Sequence, residues 1–153
     1  MNDLEQMYQQ VIMEHARAGH GRGLQETTAA EVGESHQFNT TCGDEVKLRV
    51  GVDGSAISSL TWEGQGCSIS QASVSVLHEL VEGGSVDHAV ELNAAFIDLM
   101  HSKGEGIDDA REDLLGDATA FTGVGKYPLR VKCAVMGWMA LKDALIQTGK
   151  VTS

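Results

Sequence analysis

The sequence predicts an α+β fold, in which a small three-stranded antiparallel sheet carries helices packed on one side. Residues 35–63 alternate apolar and polar side chains, as strands do, whereas the segments before and after them repeat apolar residues at helical spacing. The length of 153 residues and the hydrophobic content of 42% suit one buried core. We therefore expect a single domain over residues 1–153.

The amino-terminal segment predicts an amphipathic helix over about residues 3–17, with Asn2 or Asp3 as its cap. Its apolar side chains recur three and four residues apart, at Leu4, Met7, Tyr8, Val11 and Ile12. The glycine-rich stretch 18–23 ends the helix and is expected to form a loop.

The alternating region predicts a hairpin that turns at Asp53-Gly54, preceded by a weaker strand around residues 36–38. One face of the hairpin is apolar, with Val46, Leu48, Val50, Val52, Ile57, Leu60 and Trp62. Cys42 and Asp44 then fall in the connection before the hairpin, and Cys67 falls just beyond its end.

Helices account for the rest of the chain. Cys67 lies in the first turn of a helix that Gly83-Gly84 ends, and Asp87 can cap the next helix, which closes at residues 104–106. A short helix is predicted over residues 109–115, followed by a loose stretch over 116–126.

Pro128 suits the opening of a long helix that reaches about Thr148. Apolar residues occupy most of its sides, so we expect it to be the buried spine of the domain. Cys133 lies in its early turns.

Composition excludes several classes of function. The formal charge of −11, from 22 acidic and 11 basic residues, opposes binding to nucleic acid. No apolar run reaches the roughly 18 residues of a membrane span, and the first residues lack the features of a secretory signal. We therefore expect a cytoplasmic protein with no membrane partner.

The three cysteines, Cys42, Cys67 and Cys133, are an odd number, which argues against a disulfide framework and for reduced thiols. Three interpretations remain: inert core thiols, a metal site, or a reactive nucleophile. Zinc prefers thiolates and accepts carboxylates, but the sequence has no closely spaced cysteine pair. Its nearest couple is Cys42 with Asp44, so spacing alone leaves the choice open.

The predicted positions give the donors different properties. Cys67, at a helix amino terminus, meets free backbone amides that stabilise a thiolate, and Cys133 is likewise held by a helix. Cys42 precedes Gly43 in a loop, so it is the thiol most free to leave a metal. Asp44 offers a hard oxygen, a less tenacious ligand than a fourth thiolate.

The six histidines form no pair at i, i+4 spacing. We interpret them as surface residues or as core residues with satisfied hydrogen bonds. Arg130 and Lys132 could offset the negative charge of the thiolates, although Lys132 is better explained as part of a solvated helix start.

Three motifs together resemble the IscU-like (NifU N-terminal) family of iron–sulfur assembly proteins. They are Cys42-Gly43-Asp44, the segment 64–73 around Cys67, and Arg130-Val131-Lys132-Cys133, and the likeness also includes residues 7–15. The chain is similar to the SufU-type branch: scaffold-type members have a histidine immediately before the last cysteine, where this chain has Lys132, and the long stretch 83–127 matches that branch's extra residues. Residues 18–23 depart from the family's usual Pro-Arg-Asn-like segment.

The resemblance implies a zinc-dependent sulfurtransferase for iron–sulfur cluster assembly. It would accept persulfide sulfur from a PLP-dependent cysteine desulfurase of the SufS type, raise that enzyme's turnover, and have downstream Suf scaffold proteins as further partners. By the same resemblance Cys42, Asp44, Cys67 and Cys133 bind Zn²⁺, Cys42 is the catalytic sulfur acceptor, and Arg130 engages the desulfurase. A histidine of the desulfurase would replace Cys42 on the metal.

Two alternatives stay open. The chain could be a scaffold on which a [2Fe–2S] cluster is assembled and passed on, since thiolates and a carboxylate can hold a cluster. It could also be a structural zinc domain without sulfur chemistry. The absence of the extra histidine before Cys133 favours zinc over the cluster.

Overall fold

A helix, a three-stranded sheet and a run of further helices follow one another in residues 3–152, the part of the chain that this computed structural model describes. The elements are α1 Asp3–Ala18, β1 Glu31–Asn39, β2 Asp44–Asp53, β3 Ala56–Gln65, α2 Ser68–Val81, α3 Val86–His101, α4 Asp109–Leu115, a 3₁₀ segment Gly116–Lys126, and α5 Pro128–Gln147. The predicted α+β class is confirmed. Within the described residues, no helix is both long enough and apolar enough to cross a membrane.

The sheet is antiparallel throughout, in the order β1-β2-β3. Its apolar face is fully buried beneath α2 and α5, as the alternation predicted, and comprises Val46, Leu48, Val50, Val52, Ile57, Leu60 and Trp62. The opposite face carries charged residues such as Arg49, which pairs with Glu34 across the strands at 2.9 Å. Helices on one side of a small sheet are therefore confirmed.

β1 is longer than the predicted strand at residues 36–38. It pairs with β2 from Glu31 opposite Val52 to Asn39 opposite Asp44. The first half of β1 lacks a clear apolar alternation because Gly33 and Ser35 occupy its buried positions. Gly33 is needed there: a Cβ would lie 1.9 Å from the carbonyl oxygen of Ala144 in α5. The small residues mark a close approach between strand and helix rather than a weak strand.

The amino-terminal helix α1 agrees with the prediction, and Asn2, one of its two predicted caps, lies outside the described residues. The glycine-rich stretch after it is a loop, as expected, but it is hydrogen-bonded to the sheet. The Gly23 amide donates to the Trp62 carbonyl at 2.7 Å, and the Trp62 amide donates to the Gly21 carbonyl at 3.1 Å.

Two details of the helical region differ from the prediction. Ser85, not Asp87, caps α3: its hydroxyl accepts the His88 amide at 3.0 Å, and Asp87 lies in the first turn. The stretch 116–126 is a 3₁₀ segment rather than loose chain, because Phe121 is fully buried and contacts Phe96 edge-on at 5.9 Å between ring centroids. Burial of that aromatic ring orders a segment that was expected to be loose.

The predicted buried spine is confirmed in α5, which begins at Pro128 and ends at Gln147. Trp138 is fully buried, stacks on Phe96 at 4.4 Å and donates its indole N–H to the Ser73 hydroxyl of α2 at 3.0 Å. Met139 is an apolar residue of α5 that is not buried, since it is 53% exposed. These contacts join α2 to α5 and so fix the relative positions of Cys67 and Cys133 near their amino-terminal ends.

Candidate metal centre

Cys42 and Asp44 are positioned by the connection between β1 and β2. The chain turns at Gly43, whose φ of +73° favours glycine and whose amide donates to the Asn39 carbonyl at 2.8 Å. Asp44 was expected within the connection, but it is the first residue of β2, because it pairs with Asn39 across the sheet. Cys42 is exposed on the turn, whereas the Asp44 side chain is completely buried.

Cys67 is the N-cap of α2, one residue outside the helical turn in which it was expected. Its thiol is exposed and lies at the amino-terminal end of the helix. The preceding Gly66 has a φ of +135°, and a Cβ there would lie 1.9 Å from Asp44 Oδ1. Only glycine lets the chain pass so close to the buried carboxylate.

Cys133 lies in the second turn of α5, as predicted, and its side chain is 5% exposed. The thiol is 3.5 Å from the carbonyl oxygen of Leu129, one turn earlier in the helix. The position of this sulfur is therefore set by α5, and the Cys42 thiol approaches it from the turn before β2.

The structure brings the four predicted ligands together. Cys42 Sγ lies 3.3 Å from Cys133 Sγ and 3.1 Å from Asp44 Oδ2, and these three donors all lie within 4.8 Å of one another. Cys67 joins them through the carboxylate, with its Sγ 3.5 Å from Asp44 Oδ2. The donors come from a turn, a strand end and two helix starts that are separated in the sequence.

The two oxygens of Asp44 have different partners. Oδ1 accepts the Cys67 amide at 2.8 Å, while Oδ2 faces the thiols. Burial alone would raise the pKa of this carboxyl, but hydrogen bonds from the Cys133 thiol, the Cys67 amide and the Cys42 thiol outweigh it, and the pKa lies below its ordinary value. A buried, oriented and ionised carboxylate is thus aimed at three sulfurs.

Cys133 has the opposite tendency. Burial, with the hydrogen bonds to Asp44 and Cys42 and the nearby negative charge, raises the pKa of its thiol well above the ordinary value. Without a cation the thiol is protonated at neutral pH. A divalent metal ion reverses this preference, because it stabilises the thiolate directly.

The donor set and its spacing fit a zinc ion. In a tetrahedral site with Zn–S bonds of about 2.3 Å and a Zn–O bond of about 2.1 Å, neighbouring sulfurs lie roughly 3.8 Å apart and sulfur and oxygen roughly 3.6 Å apart. The Cys42–Cys133, Cys42–Asp44 and Cys67–Asp44 separations are 3.1–3.5 Å and differ from those values by about half an ångström or less. The Cys67 thiol lies outside the group of donors that are all within 4.8 Å of one another, so it would move towards the other two sulfurs when zinc binds. One carboxylate oxygen already has its supporting N–H donor, as metal-binding carboxylates usually do.

Arg130, the residue expected to engage a partner, lies on the surface outside this donor group. It is exposed at the start of α5, with its guanidinium 5.0 Å from the centroid of the Tyr127 ring. Both residues line a groove of about 400 Å³ between α1 and the 3₁₀ segment, next to Ile69 of α2. Lys132 is exposed, as predicted.

The histidines lie elsewhere. Among the described residues the cysteine-containing group of donors includes no histidine. His15 is a core residue with satisfied hydrogen bonds, as interpreted, because its Nδ1 lies 3.0 Å from the Ser75 hydroxyl and its Nε2 lies 3.1 Å from Asp117. Sequence reasoning missed Gly66, for which the only signal was a glycine directly before Cys67, and it missed the gathering of two histidines with Glu79.

Comparison with known sequences places these residues in context. The sequence pattern described as the NifU-like N terminal domain matches residues 7–134. The chain is 36% identical over 144 residues to the zinc-dependent sulfurtransferase SufU of Bacillus subtilis (strain 168), covering 94% of this chain and 92% of that protein. It is 32% identical over 146 residues to the iron–sulfur cluster assembly scaffold protein IscU of Streptococcus pyogenes serotype M1, covering 95% and 86%.

Solved structures share the fold. A putative iron–sulfur cluster assembly scaffold protein for the SUF system from Fervidobacterium islandicum AW-1 superposes with a TM-score of 0.74 at 34% identity, over 92% of this chain and 98% of that one. The amino-terminal part of a nitrogen-fixing NifU-like protein from Brucella abortus superposes with a TM-score of 0.79 at 21% identity, over 96% and 97%. The second likeness concerns the fold alone.

Proposed function

The chain belongs to the NifU-like N terminal domain family of iron–sulfur cluster assembly proteins, and from this premise we propose that it is a zinc-dependent sulfurtransferase. It accepts persulfide sulfur from a SufS-type cysteine desulfurase and thereby stimulates that enzyme's turnover. Zinc is held by Cys42, Asp44, Cys67 and Cys133, and Cys42 is the sulfur acceptor. The similarity to a relative named as a zinc-dependent sulfurtransferase supports the proposal.

The observation that carries the proposal is the contrast between Cys42 and the other donors. Cys133 is buried in α5, Asp44 is buried at the start of β2, and the Cys67 amide is tied to Asp44. Cys42 is exposed on a turn where a side chain at Gly43 would meet nothing within 4 Å. It is the donor that can swing outward while the rest of the site stays in place.

The chemistry is thiol–disulfide exchange. When bound, zinc keeps the thiols deprotonated at neutral pH. The Cys42 thiolate attacks the terminal sulfur of the desulfurase persulfide, so a bond forms between Cys42 Sγ and that sulfur while the sulfur–sulfur bond in the enzyme breaks. The enzyme's cysteine leaves as a thiolate, and the proton of the persulfide travels with the transferred sulfur. Because the acceptor must be reduced, the proposal places the reaction in the cytoplasm.

A scaffold on which a [2Fe–2S] cluster is assembled is the second candidate. It is favoured by the similarity to proteins named as scaffolds in Streptococcus pyogenes and in Thermotoga maritima, the latter 34% identical over 140 residues. The exposed Lys132 before Cys133 opposes it, because an ammonium group supplies no ligand to iron.

The test measures alanine formation by a SufS-type desulfurase with increasing amounts of the zinc-loaded protein. We expect a saturable acceleration that Cys42→Ala abolishes and that Thr41→Ala, an exposed neighbour in the same turn, retains. In the metal-free state Cys42→Ala should lower the free energy of unfolding by about 1 kcal/mol, because it removes a weak S–H donor from the buried Asp44 carboxylate.

Full acceleration by Cys42→Ala would refute the sulfur-acceptor role. No acceleration by the wild type, together with a stable cluster when iron and sulfide are supplied, would assign the chain as a scaffold. Loss of zinc-loaded stability in Cys42→Ala without any effect on the desulfurase would identify a structural zinc site.

Arg130 is proposed to contact the desulfurase. We expect Arg130→Ala to raise the concentration that half-saturates the acceleration about tenfold, equivalent to about 1.4 kcal/mol, without changing zinc content. The matched control is Lys132→Ala, which removes an exposed positive charge two residues away. Equal effects from both variants would show a general charge effect rather than a contact of Arg130.

A further inference from the structure

A second group of metal-binding side chains lies away from the cysteines. It consists of His15 near the end of α1, His20 in the glycine-rich loop, and Glu79 on α2, whose ligand atoms all lie within 4.8 Å of one another. His20 Nε2 is 3.3 Å from Glu79 Oε1, and His15 Nε2 is 3.9 Å from the same oxygen. Asp117 of the 3₁₀ segment adds a carboxylate 3.1 Å from His15 Nε2.

We propose that His15, His20 and Glu79, with Asp117 as a further donor, form a second metal site, which binds a borderline divalent ion such as Zn²⁺. Two imidazoles with carboxylates are donors that zinc accepts in proteins. Nitrogen and oxygen ligands about 2.0–2.1 Å from a tetrahedral ion lie roughly 3.3–3.4 Å apart. The separations of 3.3 and 3.9 Å from Glu79 to His20 and His15 are close to that spacing. Asp117 lies 3.1 Å from His15 but outside the group of donors within 4.8 Å of one another, so it would move towards the ion as it binds.

Ser75 supports the orientation of His15 that such a site needs. Its hydroxyl oxygen is 3.0 Å from His15 Nδ1 and also accepts the backbone amide of His20 at 3.0 Å. A hydroxyl oxygen has two lone pairs, so it can accept both donors while its own proton points elsewhere. When an ion is bound, Nδ1–H donates to Ser75 and the Nε2 lone pair is available to the metal, as a metal-bound histidine requires; in its absence Nε2–H donates to Asp117.

Charge balance favours a cation at this place. With neutral imidazoles the two carboxylates leave a formal charge of −2, which a divalent ion cancels. The whole chain carries a net charge of −11, so the surrounding field also attracts cations. The guanidinium of Arg22, two residues after His20, donates to the Gln71 side-chain oxygen and lies over the Trp62 ring.

A bound ion would connect α1, the glycine-rich loop and α2. His15 is 6% exposed and anchors the group in the core, while the His20 and Glu79 side chains are 44% and 50% exposed and remain open to an entering ion. The loop, α1 and α2 meet there, and α2 bears Cys67 at its start. A bound ion would therefore fix the loop against the helix that positions the cysteine centre, without contributing to sulfur chemistry.

The test counts zinc ions bound to the reduced, tag-free chain by isothermal titration, with the wild type compared to two double variants. His20→Gln with Glu79→Gln removes two exposed donors and spares the buried His15. The control, His101→Gln with Glu91→Gln, removes one exposed histidine and one exposed glutamate from α3, ten positions apart on the helix. We expect the first variant to bind one equivalent fewer than the wild type, and the control to bind the same number.

The measured quantity is the difference in bound zinc between wild type and variant, so it does not depend on whether the cysteine centre also binds zinc. This test can therefore fail while the proposed sulfurtransferase function stands, and the reverse is also true. The imidazole nitrogen resonances of His15 and His20 should shift as the additional equivalent binds. An unchanged number in His20→Gln/Glu79→Gln would overturn the proposal. Equal loss in the control variant would also overturn it, because the extra zinc would then be bound non-specifically by surface groups.

Discussion

Gly66→Ala tests whether the packing of Asp44 against the chain before α2 holds the cysteine centre together. The new Cβ would lie 1.9 Å from Asp44 Oδ1 and 2.9 Å from its Cα. Restoring an ordinary contact of about 3.4 Å requires the oxygen to move by roughly 1.5 Å. The buried carboxylate has no space on the solvent side, so the movement breaks its hydrogen bond with the Cys67 amide.

The expected cost has two parts. Loss of a hydrogen bond to a buried charged group costs about 1.5–3 kcal/mol, and a side chain at a φ of +135° adds about 1–3 kcal/mol of backbone strain. We therefore expect the free energy of unfolding of the metal-free protein to fall by about 2.5–6 kcal/mol. Zinc affinity should fall a further 10–100-fold, because the carboxylate loses its supporting donor.

Gly54→Ala is the matched control. Gly54 lies in the hairpin turn with a φ of +63°, and a Cβ there would meet nothing within 4 Å. It should cost only about 1 kcal/mol, from strain alone, and leave zinc affinity unchanged. Urea denaturation of the metal-free proteins measures the first quantity, and competition for zinc with a chromophoric chelator measures the second. If Gly66→Ala matches Gly54→Ala in both, the contact between Gly66 and Asp44 does not support the site.

Three further predictions concern Cys133, Ser73 and Glu34. In the metal-free protein Cys133 should be alkylated much more slowly than the two exposed thiols, because burial raises the pKa of its thiol. Zinc should protect all three thiols from alkylation. Mass spectrometry of digests taken over time measures the order in which the cysteines are modified. Ser73→Ala should cost about 1–3 kcal/mol of unfolding free energy in urea denaturation, since the buried indole N–H of Trp138 loses its acceptor. The hydrogen bond from Arg49 lowers the pKa of Glu34, so this contact stabilises the fold above the ordinary glutamate pKa and loses that effect as pH falls. Glu34→Gln should therefore remove about 0.5 kcal/mol of unfolding free energy at pH 7 and less at pH 3. Urea denaturation at the two pH values measures the difference.

Sequence patterns predicted those elements whose structure depends on neighbouring residues. Alternation at Val46–Val52 and the Asp53-Gly54 turn defined the hairpin, because side-chain period and turn chemistry depend on neighbouring residues alone. The prediction of loose chain at residues 116–126 was wrong because that segment's structure depends on a contact with a distant residue. The deciding contact is between Phe121 and Phe96, 25 residues apart in the sequence.

The same distinction applies to the two groups of donors. The four residues of the cysteine centre could be named because cysteines are rare in this chain and resemble a family motif, although their mutual distances depend on how β2, α2 and α5 meet. Glu79 gave no signal, because one exposed glutamate among 22 acidic residues is unremarkable until the fold brings His15 and His20 to it. His15 and His20 lie 64 and 59 positions before Glu79, so their proximity to it is a property of the tertiary structure.

The hydrogen bonds between the glycine-rich loop and β3 have a consequence for self-association. β3 is an edge strand, and an edge strand with free amides and carbonyls is a template for pairing with another chain. At Trp62 both groups are already engaged by Gly21 and Gly23, and at Ile57 they are engaged by Gly83 and Gly84. Two glycine-containing connections thus occupy the outer rim of the sheet at both places. A second copy of the chain, or an unfolded segment, finds no continuous ladder there onto which it could add a strand.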